Sequence, residues 1–236
     1  MQHALLLFGH PETDSFNGRL AARYVAGYRA AGGTIDRIDL AELDFDPLLR
    51  SGYRVAQPLE PDLERLRSAI ERADRLVWVF PTWWAAPPAL VRAVVERVFV
   101  PGWAFRYEEG RALPRGLLAG RSARVIVTMD SPGWWYTAMN HRAVHRSFGT
   151  ATLSFCGLAP VEFTTIHGVR EMTEARREAW CERVSAQAAV DAHARPRPPL
   201  RLPAATESGA SPEDHVASGA PGERRSEALA SYATRR

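Results

Sequence analysis

The sequence predicts a three-layer α/β domain, doubly wound about a parallel five-stranded sheet. Three observations carry this expectation. The runs Ala4–Phe8 and Leu76–Phe80 are apolar at every position, as strands covered on both faces are. Segments with a helical apolar period follow each of them, and strand and helix signals alternate along most of the chain. The composition, 46% hydrophobic and 24% charged over 236 residues, is that of a globular protein able to enclose a core and excludes global disorder.

After the first strand, a loop with Pro11 and Asp14 leads into a helix over 17–31, where Leu20, Tyr24 and Tyr28 form one stripe and Gly32-Gly33 ends it. Thr34–Leu40 alternates less regularly and suits a strand nearer an edge. Residues 41–60 form a polar, proline-bearing connection, longer than ordinary and therefore suited to flank a site. Pro61 opens a short helix whose buried stripe is Leu63, Leu66 and Ile70. The helix from Pro87-Pro88 to Phe99 is apolar except at Arg92, Glu96 and Arg97. Residues 101–120, with four glycines around Trp103, Phe105 and Tyr107, read as a structured excursion. Arg124–Met129 and Val161–Ile166 supply two more strands. Thr173 then caps a terminal helix in which Trp180, Val184 and Ala188 recur every four residues. From about Arg195 the periodicity stops, and prolines at 196, 198, 199, 203, 212 and 221 stand among Gly, Ser, Ala and Arg. This divides the chain into a folded domain, 1–193, and a tail, 194–236, expected to be disordered because it cannot offset its ordering entropy.

The formal charge of +3 is small, and the stretch from Arg195 holds seven of the basic and five of the acidic residues, which leaves the body almost neutral. Such a body lacks the concentrated field of a nucleic-acid surface. Cys156 and Cys181 have neither pairing nor metal-type spacing and read as reduced thiols. The apolar run at the start is too short for a secretory signal core, and no stretch of 18 apolar residues follows, so no membrane insertion and a cytoplasmic location are expected.

In a sheet of this kind ligands bind beyond the carboxyl ends of the strands, where the winding reverses. Three loops fall there. The first, Gly9–Asn17, presents His10, Thr13, Ser15 and Asn17 at a helix start; its free N–H groups would hold a phosphate, or Ser15 and Asn17 simply cap the helix. The second, Pro81–Pro88, sets Trp83 and Trp84 among prolines, either as walls for a flat heteroaromatic ligand or as core or dimer-interface residues. The third, Thr128–Tyr136, offers Asp130 to a ligand N–H or to its own turn, and Tyr136 as a hydroxyl donor or as packing. His141 and His145, four apart on a possible helix, lack the glutamate and third ligand of a zinc site. Neither GxGxxG, a P-loop nor a GxSxG elbow occurs. The loops therefore point to a planar, phosphate-bearing cofactor rather than a side-chain nucleophile.

Taken in order, Gly9-His10-Pro11 with Ser15-Phe16-Asn17, Phe80-Pro81-Thr82-Trp83-Trp84, Glu96-Arg97-Val98-Phe99 with Gly102-Trp103-Ala104-Phe105, and Phe155-Cys156-Gly157 resemble the NAD(P)H dehydrogenase (quinone) family of flavodoxin-like proteins. That family includes the quinone reductases called modulators of drug activity and the ancillary oxidoreductases of glutathione-gated potassium efflux. The resemblance spans Leu5 to about Ala192. It implies a flavodoxin-like sandwich with strand order 2-1-3-4-5, FMN or FAD as cofactor with FMN preferred, NAD(P)H as donor, a quinone as acceptor and a homodimer. It implies that His10, Ser15, Phe16 and Asn17 hold the flavin phosphate, and that Pro81, Thr82, Trp83 and Trp84 lie along the isoalloxazine. Thr128 and Asp130 would contribute from the third loop, where Asp130-Ser131 stands in place of the family's glycine pair. Tyr136 matches a family position and would donate to the acceptor, while His141 or Arg142 falls where the family's catalytic histidine belongs. Hydride would pass from NAD(P)H to the flavin and then to the quinone in a ping-pong cycle, with Trp103, Phe105 and Tyr107 helping to wall a partner's site. The same resemblance admits an azo- or nitro-compound reductase, and a flavin-bearing regulatory or electron-transfer partner of another protein.

Overall fold

The computed structural model describes residues 2–109 and 113–194. The tail expected over 194–236 lies, apart from Ala194, outside the described residues. Strands β1 (His3–Phe8), β2 (Thr34–Asp39), β3 (Arg75–Pro81), β6 (Ser122–Met129) and β7 (Val161–His167) form one parallel sheet in the order β2-β1-β3-β6-β7. This is the expected 2-1-3-4-5 order once the small ribbon of β4 (Phe105–Arg106) and β5 (Arg115–Gly116) within the excursion is set aside. The winding reverses between β1 and β3.

Burial follows from strand position. β3 and β6 are buried along their whole length and β1 along five of its six residues, whereas β2 and β7 are edge strands with partly exposed side chains. Because side chains alternate across a strand, Leu5 and Leu7 point to one layer and Ala4, Leu6 and Phe8 to the other. The first layer holds α2 (Pro61–Arg72) and α3 (Ala89–Val98), with Trp78 packed edge-on against Phe148. The second holds α1 (Phe16–Ala30) and α5 (Glu174–Asp191), the latter capped by Thr173 as expected.

Several elements differ from expectation. The connection over residues 41–60 is interrupted by two short 3₁₀ turns, Leu40–Glu42 at its start and Gly52–Arg54 within it. The buried face of α5 is Cys181, Val184, Ala188 and Asp191, so Trp180 sits at its margin. Trp103 is core: it packs on Phe99 and its indole N–H donates to Glu71, which removes it from any partner-facing wall, while Phe105 is half-buried and Tyr107 exposed. Between β6 and β7 the chain makes α4 (Gly133–Ala138), a turn at His141-Arg142, and a π-helical segment, His145–Ser154. The wide turns fit their hydroxyls: Thr152 donates to the Ser147 carbonyl five residues back, and the Phe155 N–H reaches the Thr150 carbonyl. Cys156 and Cys181 are free and buried, and burial pushes the Cys156 thiol up to about 12. No helix among the described residues is long and apolar enough to cross a membrane.

Candidate functional site

The three loops meet at the carboxyl ends of β1, β3 and β6. Gly9 N–H donates to the Val79 carbonyl at 2.8 Å, which carries the first loop alongside β3. His10 then turns its ring toward Trp83, with centroids 5.9 Å apart, and its Nδ1 accepts from the Glu12 N–H at 2.9 Å. Ser15 is the N-cap of α1: its hydroxyl donates to the Glu12 carbonyl and accepts from the Gly18 N–H. That fold-back requires a glycine at 18, because a Cβ there would lie 1.8 Å from the Thr13 carbonyl oxygen. The capping alternative therefore holds for Ser15, yet capping satisfies only Gly18. The N–H groups of Phe16 and Asn17, ahead of it in the first turn, have no acceptor among the described residues. No acidic side chain occupies that turn, so the positive end of the helix dipole is not neutralised.

Asn17 and Thr128 join the first loop to the third. The Asn17 amide donates to Thr128 Oγ1 at 3.0 Å, and the Thr128 hydroxyl donates back to Asn17 Oδ1 at 3.1 Å. Both residues are buried. Thr82 N–H donates to the Thr128 carbonyl at 2.7 Å and ties in the second loop. Within this seam the Thr82 hydroxyl is buried with no hydrogen-bond partner, beside Pro81 at the end of β3.

The second loop is a tight hairpin, with reciprocal hydrogen bonds of 3.0 Å between Trp83 and Ala86. Its central residues, Trp84 and Ala85, have φ of 52° and 57°, a pairing that ordinarily selects Asn-Gly. Trp84 is fully exposed at the tip and Trp83 half-exposed, which sets aside the core reading for both. The Trp83 N–H is engaged in the hairpin, leaving those of Trp84 and Ala85 at the tip.

In the third loop the Asp130 carboxylate accepts from the Arg170 N–H at 2.8 Å, so it braces the loop after β7 instead of closing its own turn. Trp134 and Trp135 are exposed. Tyr136 is buried, its hydroxyl accepting from the Val144 N–H at 3.1 Å and lying 3.0 Å from His145 Nδ1. Burial raises the Tyr136 pKa and lowers that of His145 to about 4, so this pair is neutral near pH 7. Donation from the tyrosine to Nδ1 leaves Nε2–H facing Thr165 Oγ1 at 3.3 Å, an order that satisfies all three groups. Residues 141 and 145 do not share a helix, because His141 and Arg142 have φ of 47° and 52°. The imidazole that meets Tyr136 belongs to His145, which sequence spacing had suggested only as half of a rejected zinc pair.

Contacts thus unite His10, Ser15, Phe16, Asn17, Pro81, Thr82, Trp83 and Thr128, with Trp84 at the rim. Asp130 and Tyr136 support the third loop, and His141 stands apart. This arrangement suits a flavin: free N–H donors at an unneutralised helix start match a phosphate, and an orphaned buried hydroxyl with exposed indoles matches a planar heteroaromatic ring.

The profile of a family described as having a flavodoxin-like fold matches residues 2–188. An uncharacterized NAD(P)H oxidoreductase of Haemophilus influenzae is 26% identical over 194 residues, 77% of this chain and 91% of that protein. The ribosyldihydronicotinamide dehydrogenase [quinone] of Pongo abelii is 26% identical over 208 residues, 76% of this chain and 89% of that protein. Among solved structures, an FMN-dependent NADH-azoreductase from Bacillus anthracis in complex with FMN superposes with a TM-score of 0.63 at 20% identity, covering 82% of this chain and all of that one. The chain belongs to this flavodoxin-like family and is an oxidoreductase, homologous at moderate identity to its NAD(P)H oxidoreductase and quinone dehydrogenase members.

Proposed function

We propose that the chain is a flavin-dependent NAD(P)H:quinone oxidoreductase, with FMN preferred to FAD. The observation that carries this reading is the Asn17–Thr128–Thr82 seam, which holds a phosphate-ready helix start and a tryptophan hairpin across the reversal of the sheet. The quinone dehydrogenase relative and the FMN-bearing neighbour support it. When bound, the flavin supplies two-electron hydride acceptance and donation.

The chain's own residues bind and orient. Phe16 and Asn17 N–H groups take phosphate oxygens at the α1 start, and His10 closes that turn against Trp83. Pro81 and Thr82 run along the ring, with the Thr82 hydroxyl free to bond a ring heteroatom. The Trp84 and Ala85 N–H groups stabilise charge at the ring's edge, and the indoles exclude water. Thr128 positions Asn17. Asp130 and the Tyr136–His145 pair position the third loop, the Tyr136 hydroxyl being committed to His145 and the Val144 N–H and not to the acceptor. His141 stands apart from the joined loops, and a proton-carrying role for it rests on the family resemblance alone. A second copy covers the exposed Trp84, Trp134 and Trp135 and completes the site.

The test is steady-state oxidation of NADH and NADPH by flavin-loaded protein with a panel of quinones, azo dyes and nitroaromatics. Parallel double-reciprocal lines and quinone turnover of at least ~1 s⁻¹ are expected. Asn17→Ala should weaken flavin retention about tenfold, and Tyr136→Phe should lower turnover with flavin retained. Flavin-loaded protein that turns over none of these acceptors would favour the regulatory-partner reading, and azo dyes as the only substrates would favour the azoreductase reading.

A further inference from the structure

The sheet edge beyond the site carries a basic groove to which the reading above assigns no ligand. It lies between β7 and the π-helical segment and encloses about 540 Å³. Arg142 and Arg146 flank it, and the Arg146 N–H donates to the Arg142 carbonyl at 3.1 Å, which sets the two residues one turn apart. Neither guanidinium has a carboxylate partner among the described residues, and none of the groove's lining residues is acidic. Elsewhere most arginines are paired, as Arg37 is with Asp39, Arg97 with Glu60 and Arg92 with Glu96. The hydroxyls of Thr150, Ser154 and Thr165 also line the groove, and the stacked rings of His145 and Phe163, 3.9 Å apart, give it a flat wall.

Its position is as informative as its charge. The Arg142 N–H donates to the Tyr136 carbonyl at 3.0 Å, and His145 holds the Tyr136 hydroxyl, so one end of the groove abuts the third loop. From Thr165 back to Val161 it runs along five residues of β7, roughly 13 Å at the usual strand rise. A nicotinamide placed at the site could lay the rest of its dinucleotide along this edge. Held in the left-handed region, His141 and Arg142 keep the mouth of the groove in a conformation that side-chain-bearing residues avoid without compensation.

We infer that this groove binds the adenosine end of the electron donor, with Arg142 and Arg146 clamping a phosphate monoester on its ribose, so that NADPH is preferred to NADH. The inference rests on the proposed NAD(P)H activity for its biological meaning. A monoester brings up to two negative charges where each phosphorus of a pyrophosphate brings one, which suits two unpaired guanidiniums without a carboxylate nearby.

The full-length, flavin-loaded protein serves for the test. Calorimetric titration should show 2′,5′-ADP binding at least about tenfold tighter than 5′-AMP, with the difference shrinking in high salt. Kinetically, kcat/KM for NADPH should exceed that for NADH about tenfold or more. In Arg142→Gln/Arg146→Gln both ratios should fall to within about twofold of unity, and Arg146→Gln alone should lower both ratios with the NADH values unchanged. Equal binding of the two nucleotides, or a NADPH preference that survives the double substitution, overturns the inference. So does a variant that raises KM for a sulfonated quinone while leaving NADPH alone, because the cations then serve the acceptor. Arginine-dependent 2′,5′-ADP binding in a protein that oxidises neither dinucleotide would retain the nucleotide site and discard the activity.

Discussion

Wedged among Tyr136, Phe163 and Thr165, the imidazole of His145 loses hydration, and Arg142 and His167 add unfavourable positive charge, so its pKa falls to about 4. In the unfolded chain it returns to about 6.5. Between those values the unfolded chain binds more protons, so the contribution to stability is complete above about pH 6.5 and is lost as pH falls toward 4. Urea unfolding across that window should show a smaller loss in His145→Gln than in the parent; identical slopes would contradict the burial argument. Residue types were legible at this scale and their partners were not. Ser15 as a cap needed only its place before an apolar stripe. The pairing of Tyr136 with His145 depends on the left-handed turn at His141-Arg142, which residues other than glycine rarely signal.

At the scale of elements, α1 and α5 pack closely because Gly27 lies against Ser185. A Cβ at residue 27 would sit 2.3 Å from the Ser185 carbonyl oxygen and 2.7 Å from its hydroxyl. Alanine favours a helix over glycine by about 1 kcal/mol, whereas overpacking costs about 1–3 kcal/mol. Backbone crowding should win here. Gly27→Ala is expected to lose about 1–2 kcal/mol of unfolding free energy. Breaking the exposed Arg23–Glu178 pair with Glu178→Ala should cost under about 0.5 kcal/mol, and the reverse ranking in chemical denaturation would refute this view of the interface. The stripes of α1 and α2 could be read from their periods. The π-helical segment could not, since its hydroxyl-to-carbonyl bonds depend on side-chain direction, and the Trp84-Ala85 hairpin lacks the Asn-Gly signature of its turn.

Across the whole molecule the two ends of the sheet carry different chemistry. At the amino ends of β3, β6 and β7, opposite the loops, Arg124 holds Asp191 through bonds of 2.7 and 2.8 Å and Glu162 at 3.0 Å, while buried Arg75 reaches both acids and Tyr24 donates to Asp191. Burial opposes the charge on Asp191, but the bonds and charges of the two arginines outweigh it and keep its pKa below the ordinary value. Asp191→Asn should cost about 3–5 kcal/mol in chemical denaturation by leaving buried cations uncompensated, without altering cofactor affinity in the protein that remains folded. A change in that affinity would mean that the two ends are coupled. This network was illegible in the sequence, because its members are dispersed from Tyr24 to Asp191 and only the strand order assembles them. The central place of β1 and β3 was legible, since uninterrupted apolar runs fit strands covered on both faces, whereas the strand order followed from the family resemblance and not from the apolar pattern.

The measurement that bears most directly on the account is the visible spectrum of the purified full-length chain after incubation with FMN and removal of the excess. One tightly held flavin per chain is expected, with the tryptophan fluorescence of Trp83 and Trp84 quenched on binding and the retention reduced in Asn17→Ala. A protein that stays colourless under those conditions, with FAD as well as FMN, would contradict it.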